Sequence, residues 1–570
     1  MHAALVCASL LLSPLTAHRS PLQAAEAQYQ DIYYEIDRTH HTAEVSFNQR
    51  ATGDLIIPAT IVVGQDTYTV TAIGDKAFRG CKNLRSIVLP PTLQRVYRSA
   101  FDGTGIMADK NQWNEGCLWI DSILIATDKN IKPRFVVPAS CRLIAAGAFQ
   151  GNKVITRVDL PNGLQRIDHE TFRDCKNLQK VVIPTSVSSI GEDAFTGSGL
   201  YANENKWKKG AFIIDDCLIA TNADLPAKYI FKNKVPIRLI AERAFANSKT
   251  LKTVIIPPSV TAIPTAAFYG CTNLTEVTIP ATVKTVGNFA FYNCAKLRNA
   301  TLPAELEQLG AGAFYGCENL TSQVLSDRLT VIDRGTFIMC RSFKQITLPK
   351  RLQRIEDGAF AGCVNLEAIE LPPTLTFIGE QAFAGCATIR RVTIPQGVSF
   401  LSKQLFQGCT RLYRLDLPDG LYAIGEEALD NCLSLEIINI PKSTFRIGAR
   451  AFRNCQQLSY IFLVDHIHLI EDGAFMNCKM LQDITLPNQL RQLNRGAFAQ
   501  CTGIRTVTLN PHLKQIGDGA FCQCRSLREV QWNDSIQSIG TEAFLDCKYL
   551  PTPHFTNPVE IGKNAFKGCK

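Results

Sequence analysis

The stretch Leu366 to Cys386, LEAIELPPTLTFIGEQAFAGC, decides the fold of this chain. The segment Ile389 to Cys409 repeats it as IRRVTIPQGVSFLSKQLFQGC, and Phe343 to Cys363 precedes it as FKQITLPKRLQRIEDGAFAGC. The apolar residues, a proline or glycine, an Ala-Phe pair (Leu-Phe at Leu405) and a cysteine recur with a period of 23 residues. A fixed period of this length predicts a solenoid in which each repeat forms one coil.

The phenylalanine of the Ala-Phe pair marks the coils along the chain. Leu429 takes its place once, which gives 20 markers in all. From Phe245 to Phe544 the step is always 23 residues, and the last step is 22. The phenylalanine markers are Phe78, Phe101, Phe149, Phe172, Phe195, Phe245, Phe268, Phe291, Phe314, Phe337, Phe360, Phe383, Phe406, Phe452, Phe475, Phe498, Phe521, Phe544 and Phe566.

The order of residues within one coil predicts its local structure. Apolar Ile369 followed by polar Glu370 shows the alternation of a strand, and Pro372 ends that strand because proline cannot donate a ladder hydrogen bond. We expect Gly379 to turn the chain, and Glu380 to Cys386 is long enough for short helical turns. The fold class predicted is therefore an α/β solenoid of about 20 coils of 23 residues with a parallel β-sheet.

The composition along the chain divides it into three parts. Residues 1–27 combine a short apolar run with small residues, which predicts a secretory signal peptide cleaved between Ala17 and Ala27. Residues 28–71 alternate apolar and polar positions, which predicts an N-terminal β cap over the first coil. Residues 72–570 form the solenoid.

Two steps between markers are longer than the others, and their extra segments at about 103–131 and 197–228 match one another. The run CLWIDSILIAT in the first segment predicts a β-hairpin that turns near Asp121. Each insert carries one tryptophan, Trp113 or Trp207. Either the tryptophans pack the hairpins on the solenoid, or they project and contact a ligand.

The 21 cysteines favour packing over chemistry. Sixteen occupy the third position after the marker residue, which predicts a ladder of buried thiols because free cysteine behaves as a small hydrophobe. Neighbouring coils would bring ladder cysteines close to disulfide distance, so pairing stays open. We find no clustered metal ligands, nucleophile elbow or phosphate loop, and we predict no metal, no cofactor and no enzymatic activity.

The outward strand positions vary from coil to coil and are the candidate binding surface. Arg391, Arg414, Ile437, Tyr460 and Phe462 should cluster on adjacent coils. Exposed aromatic side chains beside arginine are typical of binding hot spots. The alternative is a local apolar patch that has no partner.

Charge and hydropathy limit the classes of partner. The formal net charge of +9 is spread along the chain, so a nucleic-acid partner is not predicted. No apolar run reaches the length of about 18 residues that a transmembrane helix needs.

At these residues the chain resembles the BspA-type leucine-rich repeat family. The family pattern L-x-x-I-x-L-P-x-x-L-x-x-I-G-x-x-A-F-x-x-C is met by Leu366 to Cys386, and the match extends over roughly Ile56 to Cys569. The resemblance implies a secreted or cell-surface protein that adheres to host or microbial proteins. Lys570 follows a ladder cysteine directly, which leaves two alternatives: the chain is a fragment, or a partner covers the C-terminal coil.

Together with this resemblance, the sequence predicts a secreted or cell-surface leucine-rich repeat protein without enzymatic activity. The exposed strand face would bind host matrix proteins or other cell-surface proteins. Two alternatives stay open, namely a glycan-binding surface module and a structural spacer without a ligand of its own.

Overall fold

The computed structural model describes residues 25–231 and 236–570. They form a parallel β-solenoid of about 22 turns of about 23 residues with very little helix, which confirms the predicted fold class. The described residues divide into two compact units, one that ends at Tyr269 and one of Gly270–Lys570, and each has its own buried core. Within the described ranges, no helix is both long enough and apolar enough to cross a membrane.

Most coils contribute one strand of three residues, in which the middle side chain points into the core. These first strands are Gly53–Ile56, Leu84–Val88, Arg134–Val136, Arg157–Asp159, Lys180–Val182, Lys228–Ile230 and Thr253–Ile255 in the first unit. In the second unit they are Glu276–Thr278, Ser322–Val324, Gln345–Thr347, Arg391–Thr393, Arg414–Asp416, Ile437–Asn439, Tyr460–Phe462, Asp483–Thr485, Thr506–Thr508 and Glu529–Gln531. The coil of Leu366 to Cys386 has no assigned first strand, although Ile369 is buried and Glu370 exposed as predicted.

Most coils also contribute a second strand of two residues, which follows the proline turn. In the first unit these are Arg95–Val96, Leu143–Ile144, Arg166–Ile167, Ser189–Ile190, Leu239–Ile240 and Ala262–Ile263. In the second unit they are Thr285–Val286, Gln308–Leu309, Val331–Ile332, Arg354–Ile355, Phe377–Ile378, Phe400–Leu401, Ala423–Ile424, Arg446–Ile447, Leu469–Ile470, Gln492–Leu493, Gln515–Ile516, Ser538–Ile539 and Glu560–Ile561. Where strands of neighbouring regular coils pair, the pairing is parallel and joins residues 23 apart, as in Gln492 with Gln515.

The segment around the Ala-Phe pair is a series of turns and not the short helix that the sequence predicted. The N–H of Phe383 donates to the carbonyl of Leu405 in the next coil at 3.0 Å. The N–H of Ala384 donates to Gln381 within its own coil, also at 3.0 Å. Gln381 and Gly385 have φ angles of 56° and 72°, which a right-handed helix does not allow. The backbone thus alternates between bonds within a coil and bonds to its neighbour.

The marker phenylalanines stack on one another through the core. In the second unit the ring centroids of Phe360 and Phe383 lie 5.4 Å apart with an angle of 1° between the planes, and Phe383 and Phe406 are 5.5 Å apart. All three side chains are fully buried. A single coil would expose its ring to water, so each coil depends on its neighbours for burial.

Gly379 allows close approach between coils, which differs from the predicted role of turning the chain. It has no positive φ, but a Cβ atom there would lie 2.5 Å from the backbone nitrogen of Asp357 and 2.7 Å from the carbonyl carbon of Glu356. Carbon atoms in contact prefer about 3.5–4.0 Å. The previous coil therefore leaves no room for a larger side chain at this position.

The residues before the first regular coil form a mixed sheet. Its strands are Ala25–Tyr29, Ile32–Asp37, Thr42–Val45, Thr60–Val63 and Asp66–Ile73, with Arg95–Val96 joined to the last of them. Residues 1–24 of the predicted signal peptide lie outside the described residues. Ala25 to Ala27 belong to the first strand, so cleavage near Ala17 would keep this strand whole and cleavage after Ala27 would shorten it.

The two inserts are hairpins that join the sheet of second strands. Their strands are Trp113–Asn114, Cys117–Ile120 and Ile123–Thr127 in the first insert, and Trp207–Lys208, Ala211–Ile214 and Cys217–Thr221 in the second. The third strand of each pairs in parallel with the second strand of the following coil, at Leu143–Ile144 or Leu239–Ile240. The hairpins are therefore layers of the solenoid.

Each insert begins with a short helix that explains a break in the cysteine ladder. The helices are Gly105–Ala108 and Gly199–Ala202, and 3-10 turns lie at Arg98–Phe101, Lys110–Gln112 and Glu204–Lys206. Thr104 and Ser198 occupy ladder positions, and each side-chain oxygen caps its helix by accepting an N–H at 3.2 Å. A cysteine is a poor cap, so a hydroxyl replaces it where a helix starts.

We expect Gly379→Ala to lower the free energy of unfolding by about 1–3 kcal/mol, because the added methyl group overlaps the backbone of the previous coil. Chemical denaturation of this variant and of a control variant, each compared with the unchanged chain, measures the change. Gly420→Ala is the matched control, since a Cβ atom at Gly420 meets nothing within 4 Å. Equal stability of the two variants would show that coils do not approach as closely as described.

Candidate functional site

The strand-face cluster consists of Arg391, Arg414, Ile437, Tyr460 and Phe462, and the structure brings these residues together in one sheet. The strands that carry them form a four-stranded parallel sheet. Arg391 pairs in register with Arg414, Arg414 with Ile437, and Ile437 with Tyr460. Neighbouring strands are about 4.8 Å apart, so the four side chains form a continuous row.

The apolar part of the strand-face cluster is open to solvent. Ile437 is 54% exposed, Tyr460 59% and Phe462 61%, whereas the middle residues Ile438 and Ile461 of the same strands are buried. The alternation of the strand places the first and third residues outward together. Two adjacent coils therefore present one apolar patch to solvent.

The two arginines share one carboxylate. Arg391 Nη2 lies 2.9 Å from Asp416 Oδ2, and Arg414 Nε lies 2.8 Å from Asp416 Oδ1. Burial would raise the pKa of Asp416, but hydrogen bonds from Arg414 and Arg391 outweigh it and hold that pKa below its usual value. Asp416 neutralises one of the two positive charges, so a net positive charge remains beside the apolar patch.

The two tryptophans of the inserts make contacts within their own insert. Both indoles are half-buried. The indole N–H of Trp113 donates to the carbonyl of Met107 at 3.1 Å, and that of Trp207 donates to Tyr201 at 2.8 Å. The ring of Trp207 also lies 5.4 Å from the ring of Phe212. Part of each ring therefore fixes the hairpin, and its contact with a ligand stays a prediction.

A second row of outward side chains was not identified from the sequence. Tyr422, Phe445 and His468 each precede the second strand of their coil, and their rings stack at centroid distances of 5.5 and 4.4 Å. The sequence does contain a signal for this row, because the three residues occupy the same variable position of the L-x-x-I pattern at steps of 23 residues. Arg491 and Lys514 continue this position in the next two coils.

Two buried carboxylates and two half-buried arginines in the first unit form an ion-pair cluster. Arg95 and Arg166 each place Nε 3.2 Å from Asp168 Oδ2, and Arg166 Nη2 lies 2.8 Å from Glu242 Oε1. Burial alone would raise the pKa of Asp168, but Arg95 and Arg166 hold it below its usual value. The partners lie in coils before and after the hairpins, so the cluster ties these coils together.

The cysteine ladder is a packing feature with a repeated hydrogen bond. The thiol of Cys386 donates to the carbonyl of Phe360 in the previous coil at 3.2 Å, and other ladder cysteines repeat the contact at the same spacing. Every cysteine of the described ranges is a free thiol. Burial raises the pKa of Cys409 to about 12, so the thiol stays protonated and unreactive at neutral pH. The described residues contain no group of three or more His, Cys, Asp or Glu side chains placed to hold a metal ion.

The sequence matches a known family model over most of its length. The model describes the BspA type leucine rich repeat region and matches residues 64–122, 127–212, 238–342, 330–459 and 446–570. No curated protein sequence is significantly similar to the chain.

The chain also matches solved structures of bacterial leucine-rich repeat proteins. A leucine-rich repeat protein from Bacteroides ovatus is 23% identical, and the match covers 84% of this chain and 99% of that one with a TM-score of 0.38. A leucine rich cell surface protein from Faecalibacterium prausnitzii is 18% identical, and the match covers 95% of both chains with a TM-score of 0.32.

We expect brief alkylation of the folded protein near pH 8 to label the half-buried Cys522 and Cys569 well before Cys409, since alkylation needs an accessible thiolate. Peptide mapping by mass spectrometry measures labelling at each cysteine, and labelling in denaturant supplies the reference. The variant Cys522→Ser should lose one fast site without exposing Cys409. Fast labelling of Cys409, or its recovery in a disulfide, would contradict the buried thiol ladder.

Proposed function

The chain belongs to the BspA-type leucine-rich repeat family, and from this membership we propose that it is a secreted or cell-surface adhesion module that binds proteins. The strand-face cluster would be its contact surface. The observation that carries the proposal is the exposed apolar patch of Ile437, Tyr460 and Phe462 in register with two arginines. The family of surface proteins supports a protein-interaction module, and the export prediction for residues 1–27 supports its location.

The chemistry of the strand-face cluster suits a protein partner. Interface cores are enriched in tyrosine, phenylalanine and arginine, and aromatic anchors next to arginine dominate binding energy in many complexes. Tyr460 and Phe462 need no rearrangement to be reached, because rigid strands present them outward. Little conformational freedom is lost on binding, which favours affinity.

The neighbouring coils extend the surface with polar side chains. Asp483 and Thr485 flank the patch on the side opposite Arg414, and both are exposed. A partner along the row would therefore meet positive, apolar and then negative groups in that order. Such a sequence of groups gives a binding surface a direction and discriminates between partners.

The double substitution Tyr460→Ala and Phe462→Ala should reduce binding of matrix or cell-surface proteins by at least about tenfold, because it removes the two aromatic anchors. The measurement is retention of proteins from a host matrix extract on the immobilised chain, quantified by mass spectrometry. The control is Tyr33→Ala with Phe47→Ala, which removes the same exposed side-chain types from the N-terminal sheet region.

The outcomes of this experiment separate the alternatives. Retention that falls only for the strand-face variant supports the proposal. Equal loss in both double variants, or retention of nothing by the folded chain, overturns it, and the second result is the one that a structural spacer predicts. The glycan-binding alternative predicts that retention persists after the extract is digested with protease and is lost after the extract is treated with enzymes that remove glycans.

A further inference from the structure

The aromatic–basic row consists of Tyr422, Phe445, His468, Arg491 and Lys514, one residue from each of five consecutive coils. The stacked rings of the first three are followed by two cations at the same position of the next coils. At a spacing of about 4.8 Å per coil the row is about 19 Å long. Phe445 is half-buried, and the other four side chains are exposed.

The stacking decides which part of the rings meets solvent. The angle between the planes of Tyr422 and Phe445 is 4°, and that between Phe445 and His468 is 20°. Both faces of Phe445 are therefore covered, and Tyr422 and His468 each have one face covered. An aromatic ring has a negative face and a positive edge, so the row presents mainly positive edges.

The row position and the strand position beside it carry no acidic residue. Eight consecutive coils have second strands that run from Phe377–Ile378 to Ser538–Ile539. In each of them, neither the first residue of the second strand nor the residue before it is Asp or Glu. Arg446 directly follows Phe445, and its Nη2 atom lies 2.6 Å from Glu471 Oε1. The side chains of Arg491 and Lys514 have no carboxylate within 4.0 Å in the part of the chain that the structure describes.

We propose that the aromatic–basic row docks an acidic segment of a partner protein, with carboxylates at Arg491 and Lys514 and apolar side chains against the rings. The inference takes from the proposed function only that the partner is a protein, and it uses a different strand of the coil from the strand-face cluster. Charge complementarity favours an anionic occupant, and the ring edges favour it further.

The covered ring faces argue against the other polyanions. Single-stranded nucleic acids stack successive bases on free aromatic faces, and this stack offers none at Phe445 and at most one each at Tyr422 and His468. Sugar rings also pack on free aromatic faces. A peptide needs no such face, since its carboxylates pair with the cations and its apolar side chains pack along the ring edges.

The test uses a fluorescein-labelled peptide of repeating Glu-Leu-Glu-Ala units and the full chain, with binding measured by fluorescence anisotropy. The double substitution Arg491→Gln and Lys514→Gln should weaken binding about tenfold, since it removes two charge contacts. The control Lys479→Gln with Arg525→Gln removes the same two residue types from exposed positions that follow ladder cysteines. Phe445→Leu keeps an apolar side chain without the ring and should weaken binding about threefold.

Thermal melting of every variant confirms that it is folded. The variant Tyr460→Ala with Phe462→Ala should bind the peptide as the unchanged chain does, so failure of the strand-face proposal would leave this result unaffected. Equal weakening by the row and control variants overturns the inference. A labelled peptide of repeating Lys-Leu-Lys-Ala units serves as the basic counterpart, and its stronger binding would also overturn the inference. Row-dependent binding of heparin or of single-stranded DNA in preference to the acidic peptide also overturns it, because the occupant would then not be a protein.

Discussion

Every coil of this protein depends on contact with the coil beside it. A coil of about 23 residues has too little apolar surface to bury its own phenylalanine, and half of the N–H groups around that phenylalanine donate to the next coil. An unpaired backbone group that is buried is costly, so neither the rings nor the backbone is satisfied until a neighbour is in place. Parallel pairing in register follows directly, because identical positions must meet.

This dependence separates the residues that build the coil from those that vary. The buried phenylalanines, Gly379 and the ladder cysteines all face a neighbouring coil. The first and third residues of the first strand, and the residue before the second strand, face solvent. A substitution at these outward positions changes the surface without changing the stack. The strand-face cluster and the aromatic–basic row are two such surfaces, and both follow the 23-residue repeat.

Much of the fold could be predicted from the sequence, since the period sets the coil and the alternation around Ile369 sets its strand. The sequence could not distinguish turns from a helix between Glu380 and Cys386, because this seven-residue segment is long enough for helical turns. Only the positive φ angles of Gln381 and Gly385 show that its backbone is not helical. The spacing of 23 was enough to assemble Arg391 through Tyr460 in one sheet.

Other features needed three-dimensional information. Thr104 and Ser198 occupy ladder positions in the repeat, but their side chains cap short helices that the repeat pattern does not predict. Tyr422 and Phe445 lie before the second strand, outside the first-strand positions from which the candidate surface is predicted. Their spacing carries the signal, but their face-to-face geometry does not follow from spacing alone.

Hydrogen exchange in the variant Phe383→Ala tests most directly whether coils depend on their neighbours. Truncating a buried phenylalanine typically costs about 3–5 kcal/mol. If that cost is shared, amide protection should fall in the coils of Phe360 and Phe406 as well as in the altered coil, and the coil of Phe498 should keep its protection. Loss confined to the altered coil, or equal loss at Phe498, would contradict the account.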